Sequence, residues 1–244
     1  MTRLVLVGIG TGNPDHLTRQ GVAALNGADL ILIPDKGTEK AGLADVRGAI
    51  LAQVLARPVP VARISMPERR GTGDYLGAVN DWHDAIAAEW AAAIARAGHP
   101  ETVALMVWGD PSLYDSTLRV AERLGLPARV VPGITALQAL CAAHAIPLNG
   151  LGAGFAVTTG RRLRESGWPQ GFDTLAVMLD KGGAFATLPP EGLRIWWGAY
   201  LGMPAEILES GPLAEAGPRI LAARETARAA HGWIMDIYLL RRGG

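Results

Sequence analysis

One pattern governs the first half of this chain: short apolar runs end in glycine-bearing turns and give way to apolar residues at three-or-four spacing. A parallel strand needs a crossover to return beside its neighbour, and a helix usually supplies it. The alternation therefore predicts a parallel sheet covered on both faces. Leu4 to Val7, Leu30 to Ile33, Val59 to Ile64, Val103 to Val107 and Arg129 to Val131 read as strands, the second stopped by Pro34. Between them, Leu17, Ala24 and Leu25 mark a helix ending near Gly27, and Leu43, Val46, Ile50, Leu51 and Val54 mark another. After a polar loop over 65–73, Asp74 is placed to cap a long helix carrying Tyr75, Val79, Trp82, Ile86, Trp90 and Ile94 as far as Gly98. Leu118 to Leu124 reads as one more helix.

From Pro132-Gly133 a helix runs to about His144, and residues 146–154 read as a linker. Beyond it strand patterns are denser: Phe155 to Thr159, Thr174 to Leu179, Arg194 to Trp197, Ile207 to Glu209, Arg219 to Ala222 and Ile234 to Leu240. The expected architecture is α/β in two domains, 1–135 with a parallel sheet and 136–244 with a mixed sheet.

Composition narrows the function classes. The 23 basic side chains balance 23 acidic ones, which argues against nucleic-acid binding driven by global charge. No apolar run approaches the ~18 residues that a membrane helix needs. The opening MTRLVLVGIG reads as a strand and a turn rather than a secretory leader. Cys141 is the single cysteine, which excludes an internal disulfide and any multi-cysteine metal site. The expectation is a soluble, cytoplasmic protein with no bound metal.

Three turns at strand ends could carry chemistry. Gly8-Ile9-Gly10-Thr11-Gly12 invites a dinucleotide reading, with Asp35 placed where a ribose-binding acid would sit. Asn13, however, stands where the third glycine of that fingerprint belongs. Trp108-Gly109-Asp110-Pro111-Ser112-Leu113-Tyr114 follows the fourth strand; Asp110 either offers acceptors to a ligand or simply opens an Asp-Pro turn. Val131-Pro132-Gly133-Ile134-Thr135-Ala136 is the third, with Thr135 as helix cap or ligand contact. Ligands of open parallel sheets bind beyond the carboxyl ends of strands, so three such turns imply one cleft.

Taken in order, GIGTGNPDHLT, GADLILI, WGDPSLY, VPGITALQALCAAHAIPLN and TTGRR, followed by TLAVMLDKGG and EILESGPLAE, resemble the tetrapyrrole methylases over essentially the whole chain. One departure is Thr11, where the family usually carries a proline. The resemblance implies the class III methyltransferase fold, with S-adenosylmethionine held in a cleft between the two domains. Its cofactor contacts fall on Trp108, Gly109, Asp110, Leu113 and Tyr114, on Thr135 and Ala136, on Leu179, and on Leu201 or its neighbour Tyr200. The RRGTGDY loop, the LDKG segment and GWIMDIYLLRR resemble the branch that methylates carbon 1 of precorrin-5 and releases its carbon-20 acetyl group as acetate. Another precorrin or uroporphyrinogen methyltransferase is the alternative within the family. A nucleotide-binding oxidoreductase is the alternative outside it.

Expelling acetate requires water to add to a carbonyl, so a proton acceptor would help; the resemblance places Asp35 in that role. The implied macrocycle carries carboxylates, which gives meaning to Arg69-Arg70, Arg161-Arg162 with Arg164, and Arg241-Arg242 as bidentate partners, although such pairs are commonly just solvated. His83 and His144 read as structural, and Trp196-Trp197 as packing or the floor of a macrocycle site. Seven Trp beside three Phe, together with the resemblance, suggest a homodimer.

Overall fold

The computed structural model describes residues 1–35, 41–68 and 75–243, and the side chains of all of these except 41–44 and 75–76. The expected Asp74 cap and the Arg69-Arg70 pair lie outside the described residues. The chain divides into two compact units, Met1–Thr135 and Ala136–Gly244.

The first unit is built on five parallel strands: β1 (Arg3–Gly8), β2 (Leu30–Asp35), β3 (Val61–Ser65), β4 (Thr102–Val107) and β5 (Ala128–Val131), ordered β3-β2-β4-β1-β5. Strand residues alternate between two cores. Val5, Val7, Ile31, Ile33, Ala104 and Met106 pack against α1 (Arg19–Asn26) and α2 (Ala41–Val54). Leu4, Leu6, Leu30, Leu32, Val103, Leu105 and Val107 pack against α3 (Tyr75–Arg96) and α4 (Thr117–Leu124). The near-continuous apolar strands therefore reflect a sheet buried on both faces. Two strand boundaries of this sheet depart from the sequence reading by two residues: β3 begins at Val61 rather than Val59, and β2 runs through Pro34 to Asp35, paired with Ile64 and Ser65 of β3.

The second unit opens with α5 (Ala136–Ala143) and continues through β6 (Phe155–Thr159), α6 (Gly160–Ser166), β7 (Thr174–Met178), β8 (Leu193–Ala199), β9 (Ile207–Pro212), α7 (Leu213–His231) and β10 (Asp236–Arg242). Its sheet is mixed, ordered β6-β7-β10-β8-β9, with β6 and β7 parallel and the other pairings antiparallel. Arg219 to Ala222, read as a strand, lies inside α7. The buried residues Leu213, Ala216, Gly217, Ile220, Arg224 and Ala227 of α7 keep helical spacing, and the short run Ile220-Leu221-Ala222 masked it. Among the described residues, no helix is long and apolar enough to cross a membrane.

Beneath the turn after β7 lies a buried polar network. Asp180 Oδ1 accepts from Arg164 Nη1 at 2.8 Å and from the Gly182 N–H at 3.1 Å. Its Oδ2 accepts from the Tyr238 hydroxyl at 2.7 Å and the Ala184 N–H at 2.5 Å. Arg224 pairs with Asp236 and donates through Nη2 to the Asp180 carbonyl at 2.7 Å, while Trp197 Nε1 donates to Asp236 at 2.7 Å. Burial pushes the Asp180 carboxyl up, but Arg164, Tyr238 and the two backbone donors outweigh it and hold it below the usual range. Losing such an acceptor leaves every donor unmatched. Asp180→Ala is expected to lower the urea unfolding free energy by about 3 kcal/mol and Tyr238→Phe by about 1 kcal/mol, whereas a loss below ~1 kcal/mol for Asp180→Ala would mean that water replaces the carboxylate without penalty.

Candidate active site

The three glycine-bearing turns meet at the carboxyl edge of the first sheet, where their backbones touch. Gly10 and Gly109 form a two-residue antiparallel bridge, with Gly109 N–H donating to the Gly10 carbonyl at 2.8 Å and Gly10 N–H returning at 3.3 Å. A Cβ on Gly133 would lie 2.2 Å from the Gly109 carbonyl oxygen, and one on Gly8 would lie 2.6 Å from Gly133 N. Both distances fall well inside van der Waals contact, so only glycine permits this approach. Gly10 and Gly109 also take positive φ angles of 74° and 65°.

Asp110 fastens the junction. Its side chain sits in a residue only 8% exposed. Oδ1 accepts from the Ser112 N–H at 2.8 Å and the Ser112 hydroxyl at 2.5 Å, and Oδ2 accepts from the Gly133 N–H at 2.8 Å. Burial raises the carboxyl pKa, yet the Ser112 hydroxyl and the Gly133 and Ser112 N–H groups more than offset this and hold it below the usual range. Both oxygens are thus committed to the protein itself. Asp110 ties the turn after β4 to the turn after β5.

The other residues singled out in the sequence distribute as follows. Trp108, Leu113, Thr135 and Ala136 are half-buried, and Tyr114 is exposed with φ 49°. Thr135 directly precedes α5. Thr11 is buried, its hydroxyl 2.9 Å from His16 Nδ1. Asn13 accepts from Asp15 N–H and caps a single 3-10 turn over Pro14–His16, and α1 begins only at Arg19. No helix N-terminus follows the glycine turn directly, so the pyrophosphate cradle of a dinucleotide fold is not built here. Asp35 ends β2 on the same edge, with an Oδ2 3.8 Å from Arg63 Nη1.

In the second unit, Leu179 leaves β7 and Tyr200 leaves β8 at the same sheet end, because both strands run antiparallel to β10. Each has a left-handed backbone, φ 53° and 51°. Leu179 is 63% exposed, while Tyr200 and Leu201 are buried. The Tyr200 hydroxyl donates to the Trp233 carbonyl at 2.5 Å, so its side chain belongs to the core. Among the described residues five non-glycine positions have positive φ, and Tyr114, Leu179 and Tyr200 are three of them. Such backbone costs of order 1–3 kcal/mol, and it clusters at ligand sites.

The arginine pairs separate. Arg241 donates to the carbonyls of Pro147 and Leu148 and to Thr174 Oγ1, and Arg242 stacks 4.4 Å over Trp168. Their register, Arg241 beside Thr174 and Arg194, puts them at the sheet end away from Leu179. Arg164 is spent on Asp180, and Arg161 and Arg162 are exposed at the start of α6. Trp197 is buried, whereas Trp196 lies near the guanidiniums of Arg194 and Arg241. Gly8 and Ser112 are the junction residues that sequence reasoning gave no role of their own; the Asp-x-Ser spacing is the signal that could have found Ser112.

Asp110→Asn places an NH₂ group against a donor and is expected to cost about 1–3 kcal/mol of stability. The folded pKa of Asp110 lies below the ~3.9 of an unfolded chain, so its contribution is present above that value and fades as pH falls through the folded pKa. The stability gap between the two proteins should therefore narrow below about pH 4; denaturant titrations at pH 3 and pH 7 that gave equal gaps would refute the assignment.

Comparison with known proteins places this geometry. A family model described as Tetrapyrrole (Corrin/Porphyrin) Methylases matches residues 3–217. A Precorrin-6A synthase [deacetylating] from Sinorhizobium sp is 48% identical over 252 aligned positions, covering all of this chain and 96% of the relative. The crystal structure of a cobalamin synthesis related protein (CobF) from Corynebacterium diphtheriae superposes with a TM-score of 0.84 at 35% identity, each chain covered in full. A uroporphyrin-III C-methyl transferase from Thermus thermophilus, complexed with S-adenosyl homocysteine, shares the fold with a TM-score of 0.60 at 20% identity over 98% of this chain and 92% of that one. With the family model spanning the glycine junction and most of the second unit, the chain belongs to the tetrapyrrole methylases.

Proposed function

We propose that this protein methylates precorrin-5 at ring carbon 1 and releases the carbon-20 acetyl group as acetate, giving precorrin-6A. The observation that carries this reading is the 48% identity to the Sinorhizobium precorrin-6A synthase across all of this chain. Bound S-adenosylmethionine would supply an electrophilic methyl group. The residues fit such a ligand: at the Gly10–Gly109 bridge, Gly109 presents backbone, and the nearest heavy atom to where its Cβ would stand is 4.0 Å away. Trp108, Gly109, Leu113 and Tyr114 with Thr135 and Ala136 would hold it, and the family resemblance adds Leu179 and Leu201 as contacts. Asp110 keeps the first set in register.

Asp35 is the acid–base candidate. In acetate release a water oxygen bonds to the acetyl carbonyl carbon, and Asp35 takes the proton. The bond from that carbon to the ring then breaks, its electron pair staying on the macrocycle. Arg63 Nη1 lies 3.8 Å from Asp35 Oδ2. We also infer a cytoplasmic homodimer, which light scattering at micromolar concentration would test.

S-adenosylhomocysteine should raise the melting temperature, since a ligand bound only by the folded state stabilises it by mass action. Anaerobic incubation with precorrin-5 and labelled S-adenosylmethionine should give one methyl transferred per acetate released. Methylation without acetate, or methylation of an earlier precorrin instead, would move the protein to another branch of the family. Asp35→Asn should reduce acetate release by ~10²-fold or more and spare methyl transfer, so that a methylated, still-acetylated product accumulates. Equal loss of both outputs would make Asp35 a binding group rather than a base.

A further inference from the structure

Pro34 leaves a gap in the first sheet. The Ile31 N–H donates to the Pro60 carbonyl on the β3 side, and alternate strand residues turn their N–H groups to opposite neighbours. Positions 30, 32 and 34 therefore face β4, and position 34 has no N–H to give. The β2–β4 ladder accordingly ends at Leu32 beside Leu105. On the other side of β4, the Ile9 N–H takes the Val107 carbonyl at 2.9 Å. By the same alternation the Met106 carbonyl points toward β2, where a proline cannot serve it.

Arg47, from α2, takes that place. Its Nε donates to the Met106 carbonyl at 3.3 Å, and its guanidinium carbon lies 5.4 Å from the centroid of the Trp108 ring. The residue is only 9% exposed. Burial lowers its pKa to about 10, Asp115 opposing the shift, so it stays charged at neutral pH. A buried cation is costly unless it is well held. This one spans the last residues of β4 and the first residue of the Trp108–Tyr114 turn.

We propose that Arg47 is a positioning residue for the methyl-donor site: it substitutes for the missing Pro34 N–H and, through Trp108, fixes the turn that carries Gly109 and Asp110. The inference rests on the cofactor reading given above. Lysine could supply a charge and a donor, but its single ammonium cannot bond the carbonyl through one nitrogen and reach the indole through the rest of a planar group.

The test is a mutant cycle read by calorimetry with S-adenosylhomocysteine, beside melting temperature and the KM for the macrocycle. Arg47→Met should weaken S-adenosylhomocysteine about tenfold and leave the macrocycle KM unchanged. Arg47→Lys should recover melting temperature but not affinity. Trp108→Leu should weaken binding to a similar degree, and Arg47→Met with Trp108→Leu should be no weaker than either alone, since coupled residues are not additive. If Arg47→Met does not fold, Arg47→Lys replaces it in the cycle. Unchanged affinity in a folded Arg47 variant, or losses that multiply in the double variant, would overturn the inference and leave the cofactor reading standing. Failure of the unaltered protein to bind S-adenosylhomocysteine would instead overturn both.

Discussion

In the first unit the turns after β1, β4 and β5 converge backbone to backbone on Gly8, Gly109 and Gly133. Parallel strands 4.7–4.9 Å apart bring their exits together only if no side chain intervenes. That requirement sets the glycines, and the glycines expose amide and carbonyl groups that the ladder no longer pairs. Buried backbone polar groups need partners. The Gly10–Gly109 bridge serves two turns, and Asp110 serves the third through the Gly133 N–H. The turns are thereby held against one another without filling the edge where a ligand would lie.

The second unit reaches a similar result with other residues. Asp180 follows β7 closely, as Asp110 follows β4. Each carboxylate accepts the N–H two residues onward, from Ser112 or Gly182, and one further backbone N–H, from Gly133 or Ala184. In both cases burial works against the charge and the donors prevail. The left-handed backbone at Leu179 is the counterpart of the glycine approach. An exposed leucine gains little burial there to offset its strain, so packing does not account for the conformation.

Much of this was legible in the sequence because it rests on local pattern. Buried parallel strands announce themselves as apolar runs, and glycine turns mark their ends, so all five strands of the first sheet and the three turns were found. What escaped depends on partners distant in the chain. Nothing near Asp110 says that Gly133 will need an acceptor, so the carboxylate could be read as a ligand contact or a plain turn. Arg241 looked like a substrate anchor until β10 placed it beside Thr174 and the carbonyls of Pro147 and Leu148. Ile220-Leu221-Ala222 is as apolar as a strand; only the buried positions from Leu213 to Ala227 show the helix. Asp35 was placed on the correct edge, while its ion pair with Arg63 depends on the β2–β3 register.

Pro34 shows why a rule-breaking residue is informative rather than merely disruptive. Proline within a central strand normally argues against the strand, and on that ground β2 was ended at Ile33. The strand nonetheless continues, because on the β3 side Asp35 still accepts the Met66 N–H at 2.9 Å. The missing donor faces β4, one residue short of the point where that strand opens into its turn. A donor brought in from α2 can do there what a strand cannot: satisfy Met106 and reach past it to Trp108. A regular N–H at position 34 could satisfy the carbonyl but could not touch the turn. The irregularity in the ladder and the buried arginine are therefore one feature, and the feature points at the residues that the glycine junction holds open.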